Sequence, residues 1–219
     1  MQANTKRLTT LAMLAALAIL AMLTIRFPVF GFLTLDPKDV VIVISGFLFG
    51  PAAAMVIIVI TALVEMVTIS ETAHWGLIMN ILSSTAFVIP VVLIYRRWRN
   101  LTAAIVGFVV SSITVVAVML PTNYFVIPQF VPFLERADVV GLMLPTLLPF
   151  NLIKSALNAT ITIMLYKPVS IALQQAGLYQ SVAEGGSDRR LNLRVLVISA
   201  AVLICMIITL IILSQRGVI

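Results

Sequence analysis

The sequence predicts an all-α integral membrane protein: six membrane elements, a linker and a seventh helix. Three observations predict it. Of the 219 residues, 62% are hydrophobic and only 10% are charged, against about 45–50% and about 25% in soluble domains. That much apolar surface cannot be hidden in water. The apolar residues also fall in runs close to the ~20 residues that carry a helix across about 30 Å of hydrocarbon. Glycine, proline and charged residues cluster in the breaks between the runs.

The first run is residues 8–25, preceded by Lys6 and Arg7. It is longer than a signal-peptide core, and no small-residue cleavage site precedes Arg26-Phe27-Pro28, so it reads as a retained helix. A loop follows at 26–38. Residues 40–49 are too short to span upright and end at the breaker pair Gly50-Pro51. The third run is 52–69, then a polar loop is expected at 70–76. The fourth, 77–95, stops at Arg96-Arg97-Trp98-Arg99. The fifth covers 101 to about 126, with Pro121 expected to break it, and an outer loop is expected at 129–138. The sixth, 139–166, contains Pro145 and Pro149 and is expected to close at Lys167-Pro168. A mildly amphipathic extension occupies 170–178. The last run, 195–213, carries no charge. The division is a six-helix domain at 1–175, a cytoplasmic linker at 176–193, and an added helix with a short tail at 194–219.

Lys and Arg set the orientation. With the N-terminus in the cytoplasm, the inner segments hold Lys6, Arg7, Arg96, Arg97, Arg99, Lys167, Arg189, Arg190 and Arg194. The outer segments hold only Arg26, Lys38, Arg136 and Arg216. This is the positive-inside pattern, and it accounts for the net charge of +6 without a nucleic-acid partner.

Several activities are excluded. There is one histidine, His74, and one cysteine, Cys205, inside an apolar run. Neither an internal disulfide nor a Cys/His metal site is expected. No Gly-x-x-x-x-Gly-Lys-Ser/Thr stretch is present, so this chain does not hydrolyse ATP itself. No enzyme activity and no cofactor is expected; the chain should bind and deliver.

Polar residues inside the runs need an explanation, because charge in hydrocarbon costs about 2.5–3.5 kcal/mol or more. Lys154 lies deep in the sixth run. Asn151, Lys154 and Asn158 share one helical face. Glu65, Asn80 and Asn123 with Tyr124 fall at a similar depth on three other helices, in the outer half. One account is a cavity open to the outside and lined by hydrogen-bonding groups. The other is helix glue, with Glu65 and Lys154 as an ion pair. Pro121, Pro145 and Pro149 can kink helices near the same level. His74 and Trp75 read as an interfacial anchor or as a cap over the cavity mouth. Ala12 and Ala16, extended by Ala15 and Ala18, form a small-residue face that another helix can approach closely.

Particular segments resemble a known family. Leu33-Thr34-Leu35-Asp36-Pro37-Lys38-Asp39-Val40 and Gly46-Phe47-Leu48-Phe49-Gly50-Pro51 are similar to the S components of energy-coupling factor (ECF) transporters, especially the riboflavin-binding branch. The likeness continues at Met79-Asn80-Ile81-Leu82-Ser83, at Asn123-Tyr124, and at Leu148-Pro149-Phe150-Asn151-Leu152-Ile153-Lys154, over about residues 5–175. The resemblance implies a six-helix fold in the bacterial cell membrane that binds a small water-soluble vitamin near the outer face. It implies a coupling membrane protein and two cytoplasmic ATPase subunits as partners. It assigns Asn151, Lys154 and Asn123 to the ligand side; Asn80, Glu65, Asn158, Leu35 and Asp36 stand beside them as further candidates of the sequence reading. It gives Ala12 and Ala16 the contact with the coupling protein, and makes the loop after the first helix a cover for the pocket. In riboflavin binders the third helix carries a Lys–Asn pair where this chain reads Leu63-Val64-Glu65-Met66. Relatives with Glu-Met there include proteins linked to pantothenate or pyridoxine-type compounds. Two other readings stay open: an autonomous secondary transporter using Glu65 and Lys154 for ion coupling, and a structural membrane protein without ligand.

Overall fold

The computed structural model describes residues 2–30, 33–70 and 72–178, with the single positions Val197 and Ala201 beyond them. Most of the expected linker and the expected helix at 195–213, with Cys205, lie outside the described residues.

The elements run α1 (Gln2–Thr24), β1 (Phe27–Phe30), β2 (Leu33–Leu35), α2 (Lys38–Phe49), α3 (Pro51–Thr68), α4 (Ala73–Trp98), α5 (Leu101–Phe130), α6 (Arg136–Leu142) and α7 (Leu148–Gln175). A π-helical stretch, Met143–Leu147, joins α6 to α7. Among the described residues, five helices or helix pairs are long and apolar enough to cross a membrane. Large apolar side chains such as Val67, Ile113 and Leu144 remain exposed on their outer faces, where lipid replaces water as solvent.

α2 is the hub. At 12 residues it is about 18 Å long, too short to span. It is instead surrounded, packing against α1, α3, α4 and α7. Nearly every side chain from Lys38 to Leu48 is buried. Gly46 permits this, because a Cβ there would lie 2.4 Å from Val92 Cγ2 on α4. Small residues let membrane helices approach in this way. Gly50 ends α2 at φ 102°, a left-handed conformation that suits glycine, and Pro51 starts α3 where its missing N–H costs nothing.

The path from α1 to α2 is an antiparallel hairpin, with Phe27 opposite Leu35 and Pro28 opposite Thr34. The sequence reading gives a loop here. Phe27-Pro28-Val29-Phe30 and Leu33-Thr34-Leu35 are too short to stand out as strands. Around the C-terminal end of α2, Phe47, Tyr95, Phe108 and Tyr166 form an aromatic cluster. The Phe47 and Tyr95 rings stack at 4.0 Å, and the Tyr95 and Tyr166 hydroxyls bond at 2.8 Å.

Two proline expectations are corrected. Pro121 does not break α5, which continues through it and Pro128 to Phe130. Lys167-Pro168 does not close the sixth element; α7 runs through Pro168 to Gln175. The reason is tertiary: Val169 and Leu173, beyond the proline, pack on Val40, Ile44 and Leu48 of α2. At Pro145 the chain changes to π-helical turns, a common answer where a helix loses a donor. Two loops are also shorter than expected. α4 begins at Ala73, so His74, Trp75 and Gly76 are helical. α6 begins at Arg136, fixed by a reciprocal capping box between Glu135 and Asp138.

Candidate ligand-binding site

The junction of β2 and α2 carries Asp36, Lys38 and Asp39, which are 4%, 1% and 2% exposed. Such charges persist away from water only when paired and hydrogen-bonded. Lys38 Nζ donates to Glu65 Oε2 on α3 and to Asn80 Oδ1 on α4 at 3.0 Å. It also lies 4.0 Å from Asp36 Oδ1. Lys154 Nζ, from α7, donates to Asp36 Oδ2 at 2.9 Å and to the Thr34 carbonyl at 3.4 Å. Ser84 donates to Asp39 Oδ1 at 2.6 Å. Burial pushes the Asp36 carboxyl up, but the ammonium groups of Lys154 and Lys38 outweigh it and hold the group down at about 2.

The Glu65–Lys154 ion pair offered by the helix-glue account does not form. Glu65 pairs with Lys38, and Lys154 pairs with Asp36. The first turn of α2 carries Lys38 between them, which no sequence spacing reveals. Lys38, Asp39 and Ser84 were missed as buried polar residues. The available signal was Asp-Pro-Lys-Asp directly before an apolar run too short to span, since such a helix starts inside the protein.

Above this network lies a cavity of about 350 Å³. Its polar wall is Glu65, Asn80, Ser83, Asn123, Asn151 and Lys154, and its apolar wall includes Met79, Met119, Phe130 and Phe150. Pro28, Leu33 and Thr34 of the hairpin form another side, and Arg26, Ser70, Thr72 and Gly76 stand at the end formed by the α3–α4 turn. Arg26 donates to the Ile69 carbonyl at 3.2 Å. Five of the sequence candidates, Asn151, Lys154, Asn123, Asn80 and Glu65, thus meet in one wall. Leu35, Asp36 and Asn158 do not line it. Leu35 and Asp36 are buried behind it. Asn158 borders a separate void of about 10 Å³ with Asp39, Ser83 and Lys154. His74 and Trp75 are not among the lining residues.

The amide valences are informative. Lysine only donates, so Asn80 must turn its oxygen to Lys38, which leaves its NH₂ to the cavity. Asn151 donates to the Leu147 carbonyl at 2.7 Å, which leaves its oxygen as the outward group. Asn123 is 1% exposed, and its Oδ1 is without a partner among the described residues. An unsatisfied buried acceptor costs about 1–3 kcal/mol.

The small-residue face of α1 divides. Ala15 and Ala18 are buried against the bundle. Ala12 and Ala16 are exposed, on the side that also shows Leu8, Met13, Leu17 and Leu20.

Comparison with known proteins decides the family. The model of the ECF transporter, substrate-specific component, matches residues 6–166. This chain belongs to that family. The S component is 30% identical over 183 residues to the riboflavin transporter RibU of Staphylococcus aureus (strain TCH60), covering 80% of this chain and 95% of the relative. It is 25% identical over 160 residues to the riboflavin transporter FmnP of Bacillus subtilis (strain 168), covering 68% and 84%. A solved structure described as the S component of a bacterial ECF transporter superposes with a TM-score of 0.67 at 29% identity, covering 78% of this chain and 99% of that one. The S component is thus a multi-pass membrane protein, the substrate-binding part of a transporter, and its family is not one of enzymes. Membership implies association with an energy-coupling module.

Proposed function

We propose that this chain captures riboflavin from outside the cell, for ATP-driven import with a coupling membrane protein and two cytoplasmic ATPase subunits. The carrying observation is the cavity wall. Its volume, about 350 Å³, falls within the range of about 300–1,000 Å³ common to small-molecule sites. Methionines and phenylalanines suit a flat aromatic ring, and three asparagines suit a ring edge and a polyhydroxyl chain. Both lysines near the wall are already paired with carboxylates, which favours an uncharged vitamin over an acid such as pantothenate. The two relatives named as riboflavin transporters point the same way. The N-terminus is cytoplasmic by the charge pattern, which turns the cavity outward. Ala12 and Ala16 form the contact with the coupling protein.

The test is titration of the purified chain in detergent with riboflavin, pantothenate and pyridoxine, read by tryptophan and flavin fluorescence. Saturable binding of riboflavin with the others inert is the expected result. Binding of pantothenate or pyridoxine instead of riboflavin overturns it.

A further inference from the structure

We infer that Glu65, Lys38 and Asn80 together form a specificity-determining reader of a cis-amide or imide edge, the N–H beside C=O of a lactam-like ring. This deepens the riboflavin reading and rests on it.

Glu65 and Asn80 both line the cavity, from α3 and α4. Lys38 does not line it and is buried behind them. Its ammonium takes Glu65 Oε2 and Asn80 Oδ1 at once, so one buried cation fixes the orientation of two lining side chains. The carboxylate is left with Oε1, an acceptor only. The amide is left with its NH₂, a donor only. The cavity therefore meets an acceptor and a donor side by side, oriented from behind and not by the ligand. Such preorganisation removes the ordering cost at the moment of binding.

The complementary ligand edge is a donor next to an acceptor. A ring N–H donates to Glu65 Oε1, and the adjoining carbonyl accepts from Asn80 Nδ2. The pyrimidine ring of a flavin has this edge: an imide N–H flanked by carbonyls. A carboxylate ligand has no donor for Glu65 and is repelled by it. A hydroxyl can donate to Glu65 and accept from Asn80 through its one oxygen, but it does not offer the two adjoining atoms, donor and acceptor, that the imide edge presents. The discrimination arises from leaving the second oxygen of the Glu65 carboxylate without a donor in a desolvated wall, which is a stronger filter than shape alone.

The experiment compares riboflavin with riboflavin methylated at the imide nitrogen, on the intact wild-type chain. Methylation removes the donor and leaves both carbonyls. The methylated compound should bind about tenfold to a hundredfold more weakly, as expected for a lost hydrogen bond to a charged group. In Glu65→Gln the amide oxygen is taken by Lys38, as it is in Asn80, and an NH₂ replaces the acceptor facing the cavity, so the ratio between the two ligands should shrink severalfold. The comparison of ratios does not require that the variant be as stable as wild type. Equal affinity of wild type for the two flavins overturns the reader while leaving riboflavin capture standing. An unchanged ratio in Glu65→Gln also overturns it. Failure of riboflavin itself to bind overturns the underlying function, and is distinguished by that result.

Discussion

Replacing Lys154 by Met keeps most of the side chain's length and removes the charge that meets Asp36. At 2.9 Å two unit charges attract by about 6 kcal/mol for an effective dielectric near 20. Desolvation offsets much of that in the intact pair. Removing one partner is the unfavourable change, because it strands the other, at about 3–5 kcal/mol. Lys38 remains 4.0 Å from Asp36 but shares its charge with Glu65, so the expected loss is near the lower end, about 3 kcal/mol. For a chain of this size about 1 kcal/mol moves the melting midpoint by about 2–4 °C, so the midpoint should fall by about 6–12 °C. The assay is thermal unfolding of the detergent-solubilised chain without ligand, followed by the fluorescence of Trp75 and Trp98. Adding Asp36→Asn should recover at least half of the loss, since no stranded carboxylate then remains. A single variant that melts within a degree or two of wild type refutes the reasoning, as does a double variant with no recovery. Riboflavin affinity reports a second effect. It should stay low in the double variant, because Lys154 lines the cavity and Asp36 does not.

Asn123→Leu should leave the ligand-free chain as stable or more stable, by up to about 1 kcal/mol, because it deletes an unpartnered buried carbonyl; calorimetric titration should show riboflavin affinity down about tenfold. Gly46→Ala should destabilise by about 1–3 kcal/mol through the clash with Val92, and Val92→Ala in the same chain should restore the melting midpoint. Ala12→Trp should bind riboflavin normally but fail to co-purify with the coupling module; normal co-purification would remove Ala12 from the interface. Asp36 has its pKa lowered from 3.8 to about 2, so its contribution is fully present above about pH 4 and lost as pH falls through 2. The difference in melting midpoint between wild type and Asp36→Asn should therefore be constant from pH 8 to about pH 5 and narrow only in stronger acid.

Much of this protein follows from one-dimensional chemistry. Apolar run length alone separates the membrane elements, because hydrocarbon thickness is a fixed ruler. Polar residues at matched depth, Glu65, Asn80, Asn123, Asn151 and Lys154, announce a shared wall, because lipid tolerates none of them. The sequence could not say which carboxylate meets which lysine. Lys38 looks like an outer-loop charge until α2 is seen buried among four helices, and that burial depends on Gly46 lying against Val92, two residues far apart in the chain. Nor could it say that α5 and α7 survive their prolines, since the side chains that hold α7 past Pro168 belong to α2. Local chemistry determined what each segment is and how deep it sits. Only packing decided the partners, because a side chain's charge is written in the sequence, while its neighbours are set by the crossing of helices.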